Sequence, residues 1–178
     1  YEQIVDEKKD LGPLISAQKE FNFVINNYPD SDFALDSKYK MDLINDIIAL
    51  ASQANVKITC AESCTGGLVC AALTDTPGSS KIFDRGFVVY SNLAKIQTLA
   101  VSKKSIQAYG AVSEQVAIEM AIGAKKIAKA DIAIAISGIA GPGGSEFKPE
   151  GQVTFGFCWN NGSDSETIEF GPIGRKNV

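Results

Sequence analysis

Three stretches of this chain bring together residue types that do chemistry. The first is Ala61-Glu62-Ser63-Cys64-Thr65-Gly66-Gly67, between an expected strand and an expected helix. A loop there ends in the free N–H groups of the next helix. Such groups, with the helix dipole, hold an anion or a developing oxyanion. Gly66 and Gly67 let a ligand approach the backbone, and Ser63 and Thr65 bring hydroxyls to the same place. A capped helix start, with glycine for close packing, explains the same residues. Neither the phosphate-loop pattern nor the G-x-S-x-G elbow is present. The second stretch is Ser137-Gly138-Ile139-Ala140-Gly141-Pro142-Gly143-Gly144-Ser145, after an apolar run. Ligands in α/β sheets sit beyond the carboxyl ends of strands, and both glycine-rich loops follow strands. A surface loop is the plainer reading. The third is Tyr90-Ser91-Asn92-Leu93-Ala94-Lys95. A helix beginning near Asn92, capped by Ser91 or Asn92, points Lys95 back toward the strand's end.

The chain contains no histidine. A Ser-His-Asp triad, a Cys-His dyad and a His-ligated metal centre are therefore beyond this chain alone. A hydrolase built from it takes its base from Lys, Tyr, Asp or Glu, or from a water they hold. A desolvated Lys95 has a lowered pKa and suits that role, and a Ser-Lys or Ser-Tyr-Lys arrangement is the natural way to activate Ser63. An exposed helix lysine and a core tyrosine are the alternative. Cys64 is a rival nucleophile, because a thiolate at a helix start has a depressed pKa. Cys60, Cys64, Cys70 and Cys158 do not form a CxxC pair and read as reduced thiols in or near a core.

The elements that must position these loops follow from periodicity. Leu43, Ile44, Ile47, Ile48 and Ala51 recur at helical spacing and predict a helix over 41–54. Strands are expected at 56–61, 87–90, 132–136, 153–159 and 167–170, the last after the hairpin signal Asn160-Asn161-Gly162. Helices are expected at 68–73, 92–99 and 103–109. A clearer one starts after the N-cap Ser113, with Glu114 in its first turn and Val116, Ile118, Ala121, Ala124, Ile127 and Ala128 as its apolar face. Helices alternate with strands up to a terminal hairpin, which predicts a layered α/β/α domain with a mixed, mostly parallel sheet. Residues 1–40 are richer in charge, Asn, Asp and Lys, with a short helix expected at 15–25 and a turn at 28–32. They read as an N-terminal extension to a domain at 41–178.

Bulk composition bounds the function classes. The chain has 178 residues, 45% hydrophobic and 21% charged, an ordinary globular balance. Its net charge of −4 argues against a general nucleic-acid binder. No segment approaches the ~20 apolar residues of a membrane span and no leader is visible, so a cytoplasmic location without membrane contact is expected.

The motifs together are specific. The Ala61 to Gly67 stretch is followed by Pro77-Gly78-Ser79-Ser80, Arg85-Gly86-Phe87-Val88-Val89-Tyr90-Ser91-Asn92 with Lys95, and Gly110-Ala111-Val112-Ser113-Glu114. Then come Ser137 to Gly144, Lys148-Pro149 and Gly151. In this order they resemble the CinA C-terminal domain, from about Leu43 to Arg175. The resemblance implies deamidation of nicotinamide mononucleotide to nicotinate mononucleotide and ammonia, a step of pyridine nucleotide recycling, with no metal or cofactor. It implies Ser63 as the nucleophile, activated by Tyr90 and Lys95. It implies a substrate site of Glu62, Cys64, Thr65, Gly66, Gly67, Asn92, Ser137, Gly138 and the Gly141, Pro142, Gly143 and Gly144 loop. Arg175 corresponds to a phosphate contact. A small-molecule nucleotide as substrate and a homo-oligomeric assembly are implied as well. The alternative is a catalytically silent nucleotide-binding or competence- and DNA-damage-associated interaction module.

Overall fold

A computed structural model of the protein describes residues 33–175 and 177. The helix expected at 15–25 and the turn at 28–32 lie outside them. The elements are α1 (Phe33–Gln53), β1 (Ile58–Glu62), α2 (Leu68–Thr74), a 3-10 turn (Ser79–Lys81) and β2 (Phe83–Val88). Then follow α3 (Asn92–Leu99), α4 (Lys103–Tyr109), α5 (Glu114–Ala128), β3 (Ile132–Gly138), β4 (Gln152–Trp159) and β5 (Gly162–Glu169).

The five strands lie in the order β2-β1-β3-β4-β5. β1 pairs parallel with β2 and β3, while β4 is antiparallel to both β3 and β5. Only β4 is therefore reversed, which is the mixed, mostly parallel α/β sheet that the alternation of helices and strands predicts.

Side-chain alternation along the central strands separates two cores. Ile58, Cys60 and Glu62 share one face with Ile132, Ile134 and Ile136, their partners across the ladder. On that face Ile48 and Ala51 of α1 pack with Val56, Ile58 and Ile82. The opposite face carries Ala61, Ala133 and Ala135 beneath Val116, Met120, Ala121 and Ala124 of α5. Small residues on both sides set the close approach of α5: a Cβ on Gly156 of β4 would lie 2.3 Å from backbone atoms of Ala117. For the same reason the buried stripe of α5 is Val116, Ala117, Met120, Ala121 and Ala124, while Ile127, expected on the apolar face, is exposed. α3 and α4 run beside α5 and supply Leu99 and Ile106 to that core.

Three boundaries differ from expectation. α1 begins at Phe33, because no Gly or Pro lies between Phe33 and Met41 to break it. β2 covers Phe83–Val88 rather than 87–90; it is an edge strand, so exposed Asp84 and Arg85 fit in it. Val89 and Tyr90 fall just beyond its end. β5 starts at Gly162 rather than at 167, because backbone pairing with β4 carries the polar residues Ser163 to Glu166. The hairpin turn is Asn160 and Asn161; Gly162 already belongs to β5, where a Cβ would lie 2.9 Å from the Trp159 ring.

Candidate active site

The turn after β1, the segment after β2 and the loop after β3 meet at the carboxyl ends of three parallel strands. They enclose a cavity of about 340 Å³. Of the residues expected at the site, Ser63, Cys64, Tyr90, Asn92 and Lys95 line it from one side. Ser137, Gly138, Gly141, Pro142, Gly143 and Arg175 line it from the other. Glu62, Thr65, Gly66, Gly67 and Gly144 are not on its wall. Ala111, Val112, Ile139 and Ala140 complete the lining without having been singled out for a role.

Lys95 is buried, 1% exposed. Its Nζ lies 2.8 Å from Ser63 Oγ, 3.0 Å from the Val89 carbonyl and 3.1 Å from the Tyr90 carbonyl. The local fold imposes this placement. Ser91 caps α3 by accepting the Ala94 N–H at 3.0 Å, so Lys95 stands in the first helical turn with its side chain directed back at the strand ends. Burial lowers the Lys95 pKa, and the neighbouring Cys64 opposes this only to the extent that its thiol ionises. Nζ donates to the two carbonyls and to Ser63 Oγ, and loss of the proton directed at Ser63 turns a lone pair toward that hydroxyl. That is the geometry of a general base on a serine nucleophile.

Tyr90 meets Lys95 through its main-chain carbonyl rather than its phenol. Its side chain stands at the cavity wall, 61% exposed, and no hydrogen bond joins its hydroxyl to Ser63 or Lys95. The end of β2 at Val88 explains this. Val89, whose N–H donates to the Glu62 carbonyl at 2.8 Å, is turned inward, and the next residue is turned out.

The 63–67 turn accounts for most of its own donors. Ser63 N–H bonds the Ile136 carbonyl at 2.9 Å, Gly66 N–H the Ser63 carbonyl at 3.2 Å, and Leu68 N–H the Thr65 carbonyl at 3.1 Å. Among the described residues the N–H groups of Cys64 and Thr65 meet no backbone carbonyl and lie toward the Cys64 sulfur. Gly66 and Gly67 take positive φ of 61° and 110°, which the turn requires and side chains resist. The Cys64 thiol packs against Gly138, where a Cβ would lie 3.0 Å from its sulfur. Burial raises the Cys64 pKa more than the nearby Cys64 and Thr65 N–H groups and Lys95 lower it. The raised pKa favours the protonated thiol, which weighs against Cys64 as the nucleophile.

Glu62, expected to touch substrate, faces the other way. As the last residue of β1 it points to the α2 side of the sheet, fully buried. Its Oε2 accepts the N–H groups of Gly67 at 2.9 Å and Val69 at 3.2 Å, and its Oε1 that of Cys70 at 2.8 Å. Burial opposes ionisation here, but the Cys70 thiol and these N–H groups outweigh it, and the pKa is lowered. The Thr65 hydroxyl is near enough to favour the carboxylate but lacks hydrogen-bond alignment.

The glycine-rich loop is braced from behind by a residue not anticipated from the sequence. Glu150 Oε2 accepts the Gly143 N–H at 2.6 Å, and a Cβ on Gly141 would fall 2.1 Å from Oε1. Arg175 Nη2 donates to the Gly141 carbonyl at 2.6 Å, and Lys148 Nζ donates to the Val112 carbonyl. Ser137 is buried and donates to the Ala111 carbonyl at 2.8 Å, so its hydroxyl is engaged in joining two walls. An acid directly after the loop's Lys148-Pro149 offers no periodic signal, which is why Glu150 was missed.

Comparison with known proteins identifies the lineage. A CinA C-terminal domain family model matches residues 40–178. The chain is 44% identical over 166 residues to a CinA-like protein of Fervidobacterium nodosum, covering 90% of this chain and 40% of that one. It is 59% identical over 106 residues to the nicotinamide-nucleotide amidohydrolase PncC of Enterobacter agglomerans, covering 59% of this chain and 65% of that one. It thus spans two fifths and just under two thirds of these relatives' lengths. Among solved structures, the competence/damage inducible protein CihA of Agrobacterium tumefaciens superposes with a TM-score of 0.74 at 42% identity, covering 77% of this chain and 84% of that one. The chain belongs to the CinA C-terminal domain family.

Proposed function

We propose that this protein is an amidohydrolase that converts nicotinamide mononucleotide to nicotinate mononucleotide and ammonia. One observation carries the reading: a buried lysine amine 2.8 Å from a serine hydroxyl at the wall of a cavity. The 59% identity to a protein named nicotinamide-nucleotide amidohydrolase supports the substrate.

The steps balance within this site. Lys95 takes the Ser63 proton as Oγ attacks the carboxamide carbon, made more electrophilic by the pyridinium ring. The N–H of Cys64, at the cavity wall, stabilises the tetrahedral oxyanion. The Lys95 ammonium returns the proton to the departing nitrogen, which leaves as ammonia and forms an ester on Ser63. Water, deprotonated by Lys95, then attacks the ester. The intermediate collapses to the carboxylate, and Ser63 regains its proton. Tyr90 and Arg175 both line the cavity, and in this reading Tyr90 borders the reacting group while Arg175 contacts the substrate phosphate. The same reading takes residues 41–178 as the catalytic domain, with 1–40 an extension, acting in the cytoplasm as a homo-oligomer.

Ammonia release from nicotinamide mononucleotide by the wild type and by Ser63→Ala tests it. Release by the wild type alone supports the proposal. A wild type that binds the nucleotide and releases nothing makes the protein a silent binding module. Undiminished release by Ser63→Ala removes the serine mechanism.

A further inference from the structure

We infer that Glu62 is a positioning residue for the oxyanion site: its buried carboxylate takes the N–H groups that open α2 and so holds the 63–67 turn in the shape that sets Ser63 and the Cys64 N–H at the cavity wall. The inference rests on the amidohydrolase reading and assigns the residue behind its transition-state stabilisation.

A helix start presents several N–H groups without intrahelical partners. In α2 these groups do not wait for substrate. Gly67, Val69 and Cys70 donate to the two oxygens of Glu62 at 2.8 to 3.2 Å, and Leu68 donates to the Thr65 carbonyl. The start of α2 is thus neutralised internally by a carboxylate from the strand before it. Substrate anions are left to other parts of the site.

The turn between Glu62 and α2 is pinned at both ends. At one end the Ser63 N–H is held by β3 through the Ile136 carbonyl. At the other, Gly67 is held by the Glu62 side chain. Glu62 is the residue before the nucleophile, and its own carbonyl accepts the Val89 N–H six residues ahead of Lys95. One residue therefore ties together the turn that carries Ser63, the helix that follows it and the segment leading to Lys95. Removing its oxygens releases Gly67, Val69 and Cys70 to seek other acceptors and frees the α2 end of the turn from its side-chain clamp. A displacement near 1 Å at a reacting group is sufficient for losses of about a hundredfold.

Glu62→Gln keeps the shape but replaces one acceptor oxygen by an NH2 group facing N–H donors. Steady-state ammonia release is measured beside binding of nicotinate mononucleotide by calorimetry, which counts folded sites. The expected result is a kcat lowered by about a hundredfold, with KM and the product Kd within about threefold of wild type and unchanged binding stoichiometry. Glu62→Asp, which retains the charge but withdraws the oxygens by one methylene, should lose kcat as well. A wild-type kcat in Glu62→Gln overturns the inference. So does a kcat that falls only in step with the number of binding sites, which marks a general folding role. For variants that do not fold, amide exchange by NMR on the wild type decides. Gly67, Val69 and Cys70 should be protected while Cys64 and Thr65 exchange freely, and the reverse pattern overturns the inference. A wild type that releases no ammonia removes the amidohydrolase reading instead, and the exchange pattern then still reports whether Glu62 holds the turn.

Discussion

Lys95→Met removes the amine from the centre of the site while keeping a side chain of similar length and apolar body. Wild-type Nζ contacts Ser63 Oγ and the carbonyls of Val89 and Tyr90, all within 3.1 Å. Losing a positioned base costs about 10² to 10⁴ in kcat, which is about 3 to 5 kcal/mol of barrier. KM should change little, because the amine is engaged with protein atoms rather than with open cavity. The pH profile supplies the sign. Burial lowers the Lys95 pKa, so the free base is reached at a pH below that of an ordinary lysine. Wild-type kcat should rise with pH through that lowered pKa and then level, while the Met variant stays low and flat. Stability has the matching sign. Between the folded and unfolded pKa values the unfolded chain binds a proton that the folded chain does not, so wild-type stability rises with pH across that window. The Met variant lacks this slope. Its buried Val89 carbonyl, left bare, costs about 1 to 3 kcal/mol. Ammonia release against pH, with denaturant titrations at the same pH values, measures both. A Met variant within tenfold of wild-type kcat, or a wild type that becomes faster as pH falls, refutes Lys95 as the base.

Cys64→Ala should retain ammonia release to within about an order of magnitude, since burial favours the protonated thiol; abolished turnover with unchanged nucleotide binding would restore Cys64 as the nucleophile. Gly123→Ala sets helix propensity against packing. Alanine is favoured by about 1 kcal/mol in a helix interior, but its Cβ would lie 2.0 Å from the Leu99 carbonyl oxygen. Overpacking of about 1 to 3 kcal/mol should win and lower the melting temperature by a few degrees, whereas a raised melting temperature would show that α3 moves aside at little cost.

Much of the architecture was legible in the sequence because it is local. Apolar periodicity located α3, α4, α5 and the two buried strands β3 and β4, and the N-cap serines Ser91 and Ser113 marked where helices begin. It failed at the edges of the sheet. Asp84 and Arg85 in β2 and Ser163 to Glu166 in β5 show no apolar alternation, because an edge strand is held by backbone bonds to a neighbour that the local sequence does not reveal.

At the site, the residue types and the absence of histidine left a serine or cysteine nucleophile with a base drawn from Lys, Tyr, Asp or Glu, and the family resemblance pointed to Ser63 with Tyr90 and Lys95. The choice between partners was a matter of tertiary distance. Ser63 and Lys95 are 32 positions apart, and only the parallel pairing of β1 with β2 brings the turn after one strand to the helix after the other. That pairing turns Lys95 inward and leaves the Tyr90 ring at the surface. Glu62 is the sharpest case. Its place beside Ser63 suggested substrate, but strand alternation at the end of β1 sends its carboxylate to the opposite face of the sheet, onto α2. Composition and order decide which groups are available. Which of them share a low-dielectric pocket, and with which protonation, depends on strand register and burial, and those exist only once the chain has folded.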